Sequence, residues 1–382
     1  DLDLPAVAIA GPRAATPFPV PGPRPVNHFD RDTLTALQAK QEAQRIAFAP
    51  FVFQASRALR DFGLLRQLQE AGDAGLCLED LQSRVGLSRY AVRVLVEAGL
   101  GIGLVIQRDG RLLLTRLGWY MQNDAMTRVN MDFSHDVNYQ GLFHLQDSLL
   151  EGRPVGLQVF DPNARTVYEA LATLPDKVRA SWLDFDHFYS DNSFQTVLPI
   201  VFAEPTASIL DVGANTGKWA IASASHDPRV SVTLCDLPGQ LAQARTQVQA
   251  CGLAARMAEH PIDILDPASA LPEGHDVIWM SQFLDCFSEA EIVMILRKAA
   301  AVMTAGTRLF IMETYWDRQR FENAAFCLQQ TSLYFTCLAN GNSQMYHSKI
   351  LHACIEEAGL KVVEEYDDVG ISHTLSKVMK VA

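Results

Sequence analysis

The spacing of hydrophobic and polar positions changes twice along this chain. From Asp32 to about Phe48, from Phe51 to Phe62, and through residues 64–81 and 90–100, apolar residues recur every three or four positions, as in helices that bury one face. Ser88 stands where a side-chain cap would open the helix from Tyr90. Leu104-Val105-Ile106 and Arg111-Leu112-Leu113-Leu114 flank Asp109-Gly110, the dipeptide of a tight two-residue hairpin. Helices followed by such a hairpin predict a winged helix. Residues 119–200 show no clear strand but gather aromatic and histidine side chains, among them Phe133, His135, Trp182, Phe185, His187 and Tyr189.

From Ser208 short apolar runs alternate with helical stretches. Strands are predicted at 208–212, 230–235, up to 261–264, 276–281 and 308–313; helices from Lys218 and at 239–251, 289–303, about 320–338 and 346–358; further apolar stretches at 361–365 and 373–381. This alternation predicts an α/β fold, a doubly wound and mostly parallel Rossmann-like sheet, whose ligand lies beyond the C-terminal strand ends. Asp211, Asp236, Asp263, Ser281 and Glu313 fall at those ends. The expected organisation is a proline-rich arm at 1–29, a winged-helix dimerisation domain at 30–125, a helical connector at 126–200 that lines a substrate pocket, and a ligand-binding domain at 201–382.

Composition narrows the function. A chain of 382 residues with 48% hydrophobic and 20% charged residues can bury a sizeable core, and its net charge of −12 argues against a surface that tracks nucleic-acid phosphates. The second helix carries Arg89 and Arg93 but also Glu97, and the wing offers only Arg108 and Arg111 before Arg116, so no nucleic acid is expected as a partner. The seven cysteines lack a C-x-x-C pair and sit mostly in apolar runs, which points to reduced thiols and the cytoplasm. No apolar run is long enough for a membrane span, and no histidine–carboxylate set has metal spacing.

The chemistry centres on Ser208-Ile-Leu-Asp-Val-Gly-Ala-Asn-Thr-Gly217. Gly213 and Gly217 allow positive φ and close approach of a ligand, and the helix behind them has free N–H groups. Asp236, at the end of the next strand and followed by Leu237 and Pro238, is placed to accept hydrogen bonds from both ribose hydroxyls. A dinucleotide fingerprint would need glycine where Asn215 stands, which favours S-adenosylmethionine over a pyrophosphate ligand.

The winged helix, the helical connector, D-V-G-A-N-T-G and the following C-D-L-P resemble the two-domain, S-adenosylmethionine-dependent small-molecule O-methyltransferases of the caffeate, hydroxyindole and polyketide type, over roughly residues 35–382. The resemblance implies a seven-stranded sheet ending in an antiparallel hairpin, an intertwined homodimer, and an aromatic or polyene acceptor. It places Gly213 and Gly217 near the methionine moiety, Asp236 on the ribose, and Asp263 with Ile264 beside the adenine; Asp211, Asn215, Leu237, Ser281 and Gln282 complete the expected donor site.

The family's general-base histidine is replaced here by Asp285, in Asp285-Cys286-Phe287-Ser288. The two acids that hold that histidine correspond to Glu313 and to Gln344. Asp285, Glu313 and Gln344 are therefore the candidate catalytic set, with two carboxyls close enough to raise the pKa of one. The alternatives are that Asp285 caps the following helix or only orients the acceptor hydroxyl. His187, His347 and His373 are substitute bases, and Cys286 reads as packing. O-methylation is the expected reaction. C-methylation of a phenol ring, a non-catalytic S-adenosylmethionine-binding dimer and a DNA-binding regulator remain the other readings.

Overall fold

The computed structural model describes Phe29, residues 31–171 and residues 173–381. The expected proline-rich arm lies outside these residues apart from Phe29. Helices Ala36–Ala47 and Ala49–Asp61 lead into Leu64–Ala71, Leu78–Val85 and Arg89–Ile102, the last capped by the Ser88 side chain. The wing comes next as β1 (Val105–Arg108) and β2 (Arg111–Leu114), antiparallel and joined through Asp109 and Gly110, both at positive φ as a tight hairpin requires. Leu59, Leu65, Leu68, Val92, Leu104 and Leu112 form its core.

The first helix buries none of its residues within the chain. Ile46 is 74% and Phe51 70% exposed, with Leu37 and Phe48 beside them in sequence. Phe53 is half-buried, its ring stacked on Tyr139 at 5.5 Å.

A buried ionic network joins this domain to the connector. Arg57 and Arg60 both reach Asp132 at 2.7 Å, and Arg57 lies 3.6 Å from Asp136. Asp136 accepts a 2.7 Å hydrogen bond from the Ser181 hydroxyl. Helices Ala49–Asp61, Ala125–Asp132 and Asp176–Ser190 are thereby held in one arrangement, and Trp182, Phe185 and Asp186 ride on the last of them. A buried arginine whose partners were missing would carry a large desolvation cost, so the network constrains the angle at which that helix enters.

The sheet has the order β5-β4-β3-β6-β7-β9-β8, with β3 Ser208–Val212, β4 Ser231–Asp236, β5 Met257–Pro261, β6 Val277–Ser281, β7 Arg308–Glu313, β8 Leu360–Val369 and β9 His373–Lys380. β3 to β7 pair in parallel; β9 runs antiparallel between β7 and β8, as the resemblance implied. Side chains alternate between two cores. Leu210, Val212, Ile278, Met280, Leu309 and Ile311 pack on one face; Ile209, Val232, Val277, Trp279, Phe310 and Met312 pack on the other, where Trp219 stacks on Trp279 at 3.8 Å. Burial on both faces explains why the strands read as continuous apolar runs.

Candidate active site

A cavity of about 570 Å³ opens beyond the C-terminal ends of the parallel strands, between the sheet and the connector. One half is made by strand ends. The backbone turns after β3 at Gly213 (φ +77°), and its N–H donates to the Cys235 carbonyl at 2.9 Å. A Cβ on Gly213 would come within 2.4 Å of the Phe283 ring, so both the φ and the space demand glycine. Asn215, also at positive φ, donates its backbone N–H to Asp236 Oδ2 at 2.8 Å, while Leu237 N–H donates to Oδ1 at 2.7 Å. The carboxylate of Asp236 is thus aimed by the turn itself, with lone pairs left over.

Asp211, Asn215, Leu237, Asp263, Ile264, Ser281 and Gln282 all line the same cavity. Asp263 lies two residues past the end of β5 rather than on it, in a turn where its Oδ1 accepts from Leu265 N–H. Gln282 has φ +46° and donates its N–H to the Met312 carbonyl. Gly217, between the lining residues Thr216 and Lys218, turns at φ +78° to open helix Lys218–His226; a Cβ there would meet Ala244 and Leu234, so the missing side chain also serves helix packing.

Three buried oxygens in or beside this space have no hydrogen-bond partner: Asp211 Oδ2, Gln282 Oε1 and Gln240 Oε1. Burial, and next the neighbouring Asp236, push the Asp211 carboxyl up to about 8. Buried acceptors without donors fit a ligand rich in hydroxyl, amino and positively charged groups.

The other half is helical and aromatic. Phe133 stacks on Phe185 at 3.9 Å, and Trp182 Nε1–H donates to the Tyr334 hydroxyl at 2.7 Å. Tyr168, Phe335 and Met345 complete this wall. Sequence reasoning misses Tyr168, Asp186 and Tyr334, because they come from helices far apart along the chain. Asp186 accepts from Asn215 Nδ2 at 3.1 Å and so ties the connector to the glycine turn. Burial, then Asp191, raises the Asp186 carboxyl to about 6.

Asp285 sits where the halves meet. It is buried, lines the cavity, and is pushed up to about 7, chiefly by burial, with Asp186 adding to the shift. It does not cap the next helix: Ser288 does, in a reciprocal capping box with Glu291. Glu313 Oε1 accepts from Phe283 N–H at 3.0 Å and Leu284 N–H at 2.8 Å, which fixes the turn that presents Asp285. Glu313 is buried and not on the cavity wall; burial and the adjacent Asp285 raise its carboxyl above the usual range.

Gln344 is a correction. Burial alternates along the irregular segment after Gly341: Ser343 and Met345 are buried, while Gln344 is exposed and lines a separate surface recess. Asn340 lies nearer the site, donating Nδ2–H to the Cys286 carbonyl.

Of the substitute bases only His187 reaches the cavity, where its Nε2 has no hydrogen-bond partner and burial lowers its pKa. His347 caps helix Ser348–Glu357, and His373 is fully buried beside Ser193. Burial raises the Cys286 thiol and the Tyr168 and Tyr334 hydroxyls well above neutrality, so all three stay protonated. Among the described residues no group of His, Cys, Asp and Glu side chains could hold a metal ion, and no helix is long and apolar enough to cross a membrane.

Comparison with known proteins gives this arrangement its class. The O-methyltransferase domain family matches residues 144–361, more than half the chain, and a Dimerisation2-like domain matches residues 40–112. The chain belongs to the O-methyltransferase family, a class of S-adenosylmethionine-dependent enzymes. It is 23% identical to the L-tyrosine C(3)-methyltransferase of Streptomyces lavendulae over 317 residues, 82% of this chain and 85% of that protein. It is 31% identical to aclacinomycin 10-hydroxylase RdmB of Streptomyces purpurascens over 269 residues, 67% of this chain and 68% of that protein. The fold matches that of the S-adenosylmethionine-dependent methyltransferase SibL in its apo form, with TM-score 0.68 and 24% identity over 89% of this chain and 99% of that one.

Proposed function

We propose that this chain methylates a flat, hydroxylated aromatic small molecule at oxygen, with S-adenosylmethionine bound along the sheet-facing half of the cavity. The observation that carries the reading is the convergence, in one cavity, of the unpartnered Asp211 oxygen, the aimed Asp236 carboxylate and the buried Asp285. Asp236 takes the ribose hydroxyls, Gly213 and Asn215 shape the turn against the methionine moiety, and Asp263 with Ile264, Leu237, Ser281 and Gln282 surrounds the remainder. When bound, S-adenosylmethionine supplies an electrophilic methyl group on a positively charged sulfur.

The chain's own residues do the rest. The aromatic wall from Phe133 to Trp182 and Tyr334 orients the acceptor ring in line and excludes water. Asp285 accepts the acceptor's hydroxyl proton as its oxygen forms the new bond to carbon; a carboxyl near neutrality is matched to that task where an ordinary aspartate is too weak a base. Glu313 positions Asp285 through the 283–284 turn.

A second reading concerns the relative named as a hydroxylase, whose identity to this chain is higher than that of the C(3)-methyltransferase relative. The test of both is one assay. Acceptor phenols are incubated with the protein and S-adenosylmethionine, and the product is weighed by mass spectrometry. A gained methyl group with stoichiometric S-adenosylhomocysteine supports the proposal, and nuclear magnetic resonance then assigns it to oxygen or to ring carbon. A gained oxygen atom, or no product while the donor binds, sinks it. The exposed apolar face of helices Ala36–Ala47 and Ala49–Asp61 and the match to a dimerisation domain support a homodimer, and the seven free cysteines support a reducing, cytoplasmic setting. Light scattering at micromolar concentration tests the dimer.

A further inference from the structure

The walls of the cavity are unbalanced in charge. Four carboxyls, Asp186, Asp211, Asp236 and Asp285, face the interior. The only Lys and Arg residues on the wall among the described residues are Arg165 and Lys218, and each is already paired: Arg165 Nη2 with Glu169 Oε1 at 2.7 Å on the surface, Lys218 Nζ with Asp191 Oδ2 at 2.5 Å. His187 is half-buried, and burial and Lys218 together favour its neutral form. The exposed acids Asp263 and Asp266 extend the same sign along the wall.

At the acceptor end the imbalance is sharpest. Tyr334, Trp182 and Tyr168 form the aromatic wall, and Tyr334 lies within electrostatic reach of both Asp186 and Asp285. Among the described residues no Lys or Arg of the connector helix, the 283–287 turn or helix Glu322–Tyr334 lines this end; Asp186 has only His187 Nε2 at 4.0 Å and, within electrostatic reach, Lys218, which is itself paired with Asp191. A carboxylate entering with the acceptor would be desolvated against carboxyls with nothing to pair it. An ammonium would gain Asp186 or Asp285 as a partner.

Resting on the methyl-transfer reading, we propose that the acceptor is a flat aromatic without an acidic substituent, and that an amine-bearing ring is preferred over the same ring bearing a carboxylate. Asp186 is the selecting side chain: it is half-buried, on the acceptor-side helix, and held in place by Asn215 Nδ2.

The experiment is calorimetry on the full chain. S-adenosylhomocysteine is titrated first; the saturated protein then receives 3-(aminomethyl)-2-naphthol, 3-hydroxy-2-naphthamide or 3-hydroxy-2-naphthoic acid, three rings of one shape and different charge. At about pH 8, above the values of Asp186 and Asp285, the acid is expected to bind at least about 30-fold more weakly than the amide, the amine at least as tightly as the amide, and Asp186→Asn to remove most of the amine's advantage. Equal affinity for acid and amide overturns the proposal. So does saturation by S-adenosylhomocysteine followed by no binding of any naphthol. An amine advantage that survives Asp186→Asn unchanged overturns the role of that residue. Failure of S-adenosylhomocysteine itself to bind overturns the donor-site reading beneath it, which keeps the two failures apart.

Discussion

The sheet-facing half of the cavity is built from backbone and the residues immediately beyond strand ends, whereas the helix-facing half is built from side chains carried by helices far apart along the chain. Asp236 is aimed by two N–H groups of turns that the sheet itself fixes. Trp182 is aimed by a hydroxyl on Tyr334, and its helix is held by a distant ion network around Asp136. The first arrangement tolerates almost no change in backbone; the second can adjust rotamers. Single substitutions therefore should be costly in the sheet-facing half and graded in the other.

The largest effect is expected at Gly213→Val. It forces a β-branched side chain into φ +77° and into the Phe283 ring. Donor binding should be lost altogether in calorimetry, and the melting temperature should fall. A variant that still binds S-adenosylmethionine normally would show that the turn is less constrained than its geometry states.

Next comes Asp285→Asn, at the seam between the halves. The amide keeps hydrogen bonds but cannot take a proton, so the methylation rate should fall by ~10²–10⁴-fold with donor affinity unchanged. Because Ser288 rather than Asp285 caps the following helix, stability should not drop. The wild-type rate should rise with pH through about 7, since the ionised form is the base, and Asn should remove that limb. The folded-state pKa lies above the unfolded value near ~3.9, so the protonated form is the one that folding favours. The wild type accordingly loses stability as pH rises from about 4 through about 7, and the variant should lose less over that window. A pH profile that keeps its limb in Asp285→Asn would move the base to His187, a histidine of the wall whose Nε2 has no hydrogen-bond partner.

Asp236→Ala removes a carboxylate that also holds the glycine turn. Donor affinity should weaken by ~1.5–3 kcal/mol, the usual worth of a hydrogen bond to a charged group. Unchanged affinity by calorimetry would remove Asp236 from the donor site.

The same contrast decides what can be read from the sequence. Strand ends are legible because a parallel strand buried on both faces is a short apolar run, and the residue at its C-terminal end lies at the rim: Asp211, Asp236, Ser281 and the 308–313 strand are all recognisable in this way. At Gly217 the positive φ is visible as a glycine, while the packing of its missing Cβ against Ala244 and Leu234 is not. Sequence reasoning misplaces Gln344 because a residue count along an irregular segment does not fix which of its side chains face inward. Asp186, Tyr168 and Tyr334 carry no strong local signal; they sit on three separate helices and meet only where those helices pack around the cavity. Asp186 has one available hint, an acid inside an aromatic run F-D-H-F-Y, which is unusual for a face meant to be buried.

The smallest effect is expected in the adjustable half, at Trp182→Phe. The change removes the Nε1–H that Tyr334 accepts at 2.7 Å and leaves a ring in place. Tyr334 is buried, so its hydroxyl oxygen loses a donor but keeps its own proton to give, and a neutral hydrogen bond of this kind is worth about 0.5–1.5 kcal/mol. Phe185, stacked on Phe133, still supplies a flat wall. The acceptor KM should rise only a few-fold, donor affinity should stay as in wild type, and kcat should change little, since Asp285 and the 283–284 turn are untouched. Trp182→Ala should cost more than Trp182→Phe by the loss of packing area. If Trp182→Phe instead reduces kcat as severely as Asp285→Asn, the helix-facing half is as rigid as the strand ends, and the aromatic wall helps align the acceptor in the transition state rather than merely shaping its binding.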